Sequence, residues 1–228
     1  MQNGDFVELD FTGKANGRVF DTTSAEEAKK NGVFNEKNSY GPVLVVVGKG
    51  MLVPGLDEEV LKTGEGDSKT VSVPAEKAFG ERKADFVRLI PLSKFKGQDV
   101  APSVGMSLEV DGMPARVVGV DGGRVRLDFN HPLAGQALEY SFKIVKVYSN
   151  PAGKVTAVVS NLFKGVSGVS GELTGDKAFF VIPSKVRKDA VFLQQKFKAI
   201  EFLLGFVPEV KKVVFQEEYA VEQPPEQQ

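Results

Sequence analysis

The chain has 228 residues, 42% hydrophobic and 26% charged, and its 29 basic and 30 acidic side chains leave a formal net charge of -1. That length allows more than one hydrophobic core, and the near-zero balance gives no basic field for nucleic acid or an anionic membrane surface. Cysteine is absent, which excludes disulfides and thiolate metal sites, and the opening MQNGDFVELD carries acidic residues and no apolar h-region, so a cytoplasmic protein is expected.

Residues 6–13, FVELDFTG, alternate as a half-buried strand, and VFDTT at 19–23 follows an Asn16-Gly17 turn. Residues 24–30 predict a short helix, with Ser24 and Glu27 at capping-box spacing and Gly32 placed to end it. Residues 43–47, VLVVV, form a β-branched run suited to a buried strand, after which Gly48-Lys49-Gly50 turns the chain. Leu52 and Val53 are apolar where a turn normally faces solvent, and Pro54-Gly55 opens a short helix through LDEEV. A phosphate-cradling loop is excluded by spacing, because Val53 stands where a third glycine is needed.

After PAEKAFG at 74–80, short strands are expected at 86–91, 107–110, 115–120 and 124–128, with Asp111-Gly112 and Asp121-Gly122-Gly123 as hairpin turns. Such a small all-β unit can leave and re-enter a surface loop cheaply, because closure entropy grows slowly with loop length. NHPLAG at 130–135 then leads into Leu138, Tyr140, Phe142 and Ile144, again spaced by two. Asn150-Pro151-Ala152-Gly153 reads as a linker-like break.

Strands at 178–182 and 211–217 flank one long helix that starts at Pro183-Ser184 and ends at Gly205. Val186, Ala190, Leu193, Phe197, Ile200 and Leu204 step by four and three, which predicts one core-facing stripe. Phe192, Phe202 and Leu203 add apolar surface beyond it, leaving open a self-association surface, and so a homodimer, or an ordinary two-sided core. Arg187, Lys188, Asp189, Lys196, Lys198 and Glu201 interrupt the helix and argue against a membrane span. The Glu, Gln and Pro-rich tail at 221–228 reads as disordered.

Taken in order, DFTG, VFDTT, GKGMLVPGLDEEV, AFG and NHPLAG resemble the FKBP-type peptidyl-prolyl isomerases. The long segment before NHPLAG is similar to the SlyD-like branch, which carries a domain inserted in the flap, and the extended chain looks like the archaeal long forms. The resemblance covers residues 1–150. It implies an α+β fold in which residues 1–86 and 130–150 form an antiparallel sheet wrapped on a short helix. Residues 87–129 would be an inserted all-β chaperone domain; residues 151–228 read, from their own strand and helix pattern, as a C-terminal α+β domain.

By the same resemblance, Asp21, Phe20, Val53, Phe79 and Tyr140 are the catalytic residues, and Phe11, Val43, Leu52 and Leu56 bind substrate. The Val53 N–H would bond the substrate carbonyl. Asp21 is read as a carboxylate at the pocket edge, against a plain turn residue beside Thr22, Thr23 and Ser24. Partners are then proline-containing or unfolded polypeptides, held by Leu89, Ile90, Met106 and Met113 of the insert, with no nucleic acid, membrane, cofactor or metal. His131 is the only histidine and is read as a hydrogen-bonding residue where the insert rejoins the first domain.

The chain departs from the family in having no tryptophan, with Leu56 at the pocket base, and in having Phe11 and Phe79 where tyrosines are common. Two functions therefore stand side by side: a prolyl isomerase that is also a folding chaperone, and a binding-only holdase.

Overall fold

The computed structural model describes residues 1–95, 101–183 and 190–217. The chain divides into two compact units, one of residues 1–71 with 139–228 and one of residues 72–138. Strands β1 (Phe6–Ala15) and β2 (Arg18–Thr22) open the first as an antiparallel hairpin. Asn16 and Gly17 at its tip have φ of 49° and 75°, the left-handed pair that matches the twist of the flanking strands. Helix α1 (Ala25–Lys30) is capped by the Ser24 side chain, which accepts the Glu27 N–H at 3.3 Å. Strand β3 (Val43–Val46) pairs with the first half of β1, Phe6 opposite Val46 and Leu9 opposite Val43. Helix α2 (Pro54–Leu61) and β4 (Ser68–Val73) follow.

Within residues 72–138, β5 (Val87–Pro91), β6 (Ser107–Val110), β7 (Met113–Asp121) and β8 (Arg124–Asp128) form an antiparallel sheet in the order β5-β8-β7-β6. Asp111 and Gly112 turn β6 into β7 with positive φ, as their sequence predicts. One face closes over Phe95, Ala115, Val117, Val125 and Leu127, with Ile90, Met106 and Leu108 packed against them. At the neck, Asn130 grips the Lys83 backbone twice: Oδ1 accepts the N–H at 2.9 Å and Nδ2 donates to the carbonyl at 3.0 Å. Buried Asp128 accepts from the Arg82 guanidinium and from Asn130 Nδ2 (2.7 Å).

Strand β9 (Leu138–Tyr148) completes the sheet of the first unit, ordered β2-β1-β9-β4 with β3 off β1. The break expected at Asn150 is instead the start of α3 (Pro151–Leu162). Asn150 Oδ1 accepts the Gly153 N–H at 2.7 Å and Pro151 fills the first turn, where its missing N–H costs nothing. Strands β10 (Ser170–Thr174), unforeseen in the sequence, and β11 (Lys177–Ile182) pair antiparallel. Helix α4 (Ala190–Phe206) then crosses over to β12 (Lys212–Glu217), which lies parallel to β11.

The stripe expected on this helix is inverted. Phe192, Ala199 and Leu203 are buried, whereas Leu193 and Leu204 are exposed and Phe197 is 68% exposed. The helix is apolar on several sides, so spacing alone fits two faces. The face that wins packs Phe202 edge-on against Phe6 of β1, with centroids 6.0 Å apart. Val186 and the tail at 221–228 lie outside the described residues. One core joins Phe6, Leu44, Val46 and Tyr148 to Val155, Val158, Phe180, Phe192 and Leu203. The architecture is thus mixed α and β, built mainly from antiparallel pairs, with few helices. No described helix is long and apolar enough to cross a membrane.

Candidate functional site

The hairpin and β9 bring three aromatic rings together. Tyr140 meets Phe20 edge-on at 5.9 Å and Phe11 at 6.1 Å. Gly13, two residues after Phe11 on β1, makes this possible, since a Cβ there would lie 2.7 Å from the Phe20 ring and 2.9 Å from the Tyr140 ring. Any other residue at this position would wedge the cluster open. Tyr140 is almost fully buried, and burial, followed by the nearby charge of Asp21, pushes its phenol up to about 12. At neutral pH it is a protonated hydroxyl, a donor at the end of an apolar cluster.

Asp21 sits opposite Gly13 in the β1-β2 register and is exposed. It lines a cavity of about 430 Å³ together with Phe11 and Val43. Threonine hydroxyls fix the strands behind it. Thr23 Oγ1 accepts the Phe11 N–H at 3.0 Å and lies 3.0 Å from an Asp10 carboxylate oxygen, while the Thr12 and Thr22 hydroxyls are 2.8 Å apart. Sequence reasoning passed over these threonines and Gly13; the doubled Thr22-Thr23 directly after Asp21 was the available signal.

The turn into α2 is built for rigidity. The Gly48 N–H donates to the Asp57 carboxylate at 2.9 Å, and φ of 73° at Gly48 is a conformation that L side chains resist. Val53 is the N-cap of α2, in extended conformation, and its carbonyl accepts the N–H groups of Leu56 and Asp57, both at 3.0 Å. Leu56 is buried, and Leu52 and Val53 are half-buried. Glu59, one helical turn further on, is held down at about 2 by its hydrogen bond to Lys62 and a second to Lys69.

Among the residues expected at the site, Phe11, Phe20 and Tyr140 are in ring contact, Phe11, Asp21 and Val43 share one cavity, and Leu52, Val53 and Leu56 occupy the start of α2. Phe79 belongs to the 72–138 unit, where its ring stacks on His131 at 3.9 Å. His131 Nδ1 accepts the Leu133 N–H at 3.2 Å, a hydrogen bond that folds the local turn. Of the expected chaperone residues, Leu89 and Met113 are exposed, whereas Ile90 and Met106 lean on the small core. Among the described residues no group of three or more His, Cys, Asp or Glu is arranged to hold a metal ion.

Comparison with known proteins shows the family. The family model described as FKBP-type peptidyl-prolyl cis-trans isomerase matches residues 1–94, and a second, described as FKBP26, IF domain, matches residues 88–133. A short-type peptidyl-prolyl cis-trans isomerase of Methanocaldococcus jannaschii is 36% identical over 144 residues, covering 63% of this chain and 92% of that protein. The chain belongs to the FKBP-type peptidyl-prolyl cis-trans isomerase family. This FKBP-type chain is also similar to the FKBP-type isomerase SlyD of Vibrio cholerae, 34% identical over 50% of this chain and 59% of the relative. The FKBP-type 16 kDa isomerase of Escherichia coli is 28% identical over 64% of this chain and 93% of the relative. Both family models end before α3, so α3, β10, β11, α4 and β12 lie beyond them.

Proposed function

We propose that this FKBP-type isomerase rotates X-Pro bonds in unfolded polypeptides and holds those polypeptides through residues 87–129. Rotation is opposed by amide resonance, a barrier of roughly 18–20 kcal/mol, and unaided isomerisation takes tens of seconds or longer. The planar amide is the more dipolar state and the twisted one has lost charge separation. An apolar cavity that excludes water therefore disfavours the ground state relative to the transition state. No proton has to move.

In this reading Phe11, Phe20, Tyr140 and Val43 wall the cavity with Leu52 and Leu56 below, and the Val53 N–H holds a substrate carbonyl. Asp21 orients the substrate at the rim. The supporting observation is the Phe11-Phe20-Tyr140 cluster closed across Gly13, with Asp21 near enough to perturb the buried phenol. Tyr140 supplies the hydroxyl that Phe11 lacks. The holding role is supported by Phe86, Leu89, Met113, Val118 and Val120, apolar side chains exposed on one small unit.

The test is proline isomerisation in a short peptide and in an unfolded protein. Phe20→Ala and Asp21→Ala should slow both, and removal of residues 87–129 should slow the protein far more than the peptide. Rates untouched by both pocket substitutions sink the catalytic reading and leave the holdase one. The exposed Leu193, Phe197 and Leu204 of α4 support a second element of the proposal, a homodimer through the C-terminal segment. Sedimentation should show a dimer that Phe197→Glu converts to monomer; a parent chain that sediments as a monomer rejects it.

A further inference from the structure

We infer that Lys198 of α4, with Lys37 from the loop before β3, forms a basic subsite beside the proline cavity that selects substrates with an acidic residue next to the proline. The inference rests on the isomerase reading and adds, in Lys198, a specificity element from a part of the chain that neither family model reaches. The same cavity of about 430 Å³ that is lined by Phe11, Asp21 and Val43 is also lined by Lys37, Tyr40 and Lys198. Both lysines are exposed, and among the described residues neither ammonium is ion-paired. The lining therefore carries two positive charges against the single carboxylate of Asp21.

The packing explains why a residue so distant in sequence arrives here. Phe202 on α4 rests edge-on against Phe6, and Ala199, next to Lys198, is fully buried in the same core. Strand β1 carries Phe6 at one end and Phe11 further along, so the strand that anchors the helix also walls the cavity. The opposite rim is held as well: Asn161 of α3 donates to the Pro42 carbonyl at 3.1 Å, and Tyr40 Oη accepts the Asn35 N–H at 2.9 Å. Lys198 thus projects from a braced helix, and Lys37 from a loop tied at both ends.

A proline held against Phe11 and Val43 places its neighbouring side chain within reach of this rim. A carboxylate there meets two ammoniums, whereas a lysine meets the same two as repulsion. Asp21 opposes the carboxylate, so both lysines are needed for the balance to favour it. Because the groups are solvated, each contributes little and is screened by salt. The expected discrimination is about threefold to tenfold, the effect of one or two exposed charge pairs.

The experiment uses the full chain and tetrapeptides Ala-Xaa-Pro-Phe with Xaa Glu, Gln or Lys, assayed at low and at high salt. The parent should give kcat/KM in the order Glu, Gln, Lys, with the difference mainly in KM and flattened by high salt. The Glu to Gln ratio should fall in Lys198→Gln, approach unity in the double variant with Lys37→Gln, and return in Lys198→Arg. Equal Glu and Gln values in the parent, or a preference that survives the double substitution, overturn the inference while leaving the isomerase reading intact. A parent that turns over none of the peptides overturns both.

Discussion

In the first unit Phe11, Phe20 and Tyr140 turn their apolar surface on one another, closed over a glycine that leaves no slack. In the 72–138 unit the sheet buries one face on Val117, Val125 and Leu127 and leaves Leu89, Met113, Val118 and Val120 outward. The same kinds of side chain are used in opposite ways. Fixed rings define one shape, which the proposed action on a single bond type calls for. An outward set of aliphatic and methionine side chains fixes no shape, which is what the proposed holding role calls for.

The contrast can be broken most directly at Phe20. Phe20→Ala removes one wall and one edge-on ring contact, and turnover of a short peptide should drop about tenfold, the rate equivalent of roughly 1.4 kcal/mol. Next comes Gly13→Ala, whose methyl would sit inside contact distance of two rings. It should destabilise the chain by about 1–3 kcal/mol in urea unfolding, the usual cost of overpacking, and lower turnover with it. An unchanged midpoint would mean that the cluster yields to an added methyl and is not tightly closed.

At Leu89 and Met113 the opposite pattern is expected. Leu89→Ser with Met113→Ser should shift stability by no more than about 0.5 kcal/mol per site, as exposed positions do, yet reduce suppression of aggregation of an unfolded client. Stability losses as large as at Gly13 would erase the distinction. The smallest effect is spectroscopic. Phenol raised to about 12 at Tyr140 means that the stability tied to the neutral hydroxyl is complete below the ordinary value near 10 and is lost as pH climbs towards 12. Absorbance titration should show two late phenols, since burial and the Glu8 carboxylate also raise Tyr148, and only the Tyr140 component should vanish in Tyr140→Phe.

Much of this was legible because short-range rules governed it. The strands at 107–110 and 124–128 follow from alternation bounded by glycine turns, and α1 follows from Ser24 and its cap. The misreadings share a cause. Asn150-Pro151 looks like a break when read for its proline, but the Asn side chain caps the helix that the proline begins. On α4 the apolar residues surround the axis, so packing against distant parts of the chain, Phe6 of β1 and Phe163 after α3 among them, decides which face turns inward. The rings of Phe11, Phe20 and Tyr140 are singled out by their motifs, whereas their tight contact is not, because Gly13 matters only once Phe20 and Tyr140 are placed around it. Phe79 shows the reverse: its motif was plain, and its stacking partner His131, more than fifty positions later, was not.

The two-way grip of Asn130 on Lys83 has an evolutionary corollary. It clasps the chain just ahead of β5 and just after β8 at one point, so the segment between them begins and ends at a spacing set by a single side chain. Under the proposed holding role, that fixed spacing would let the segment be lengthened, exchanged or trimmed to a tight loop while the flanking chain keeps its path.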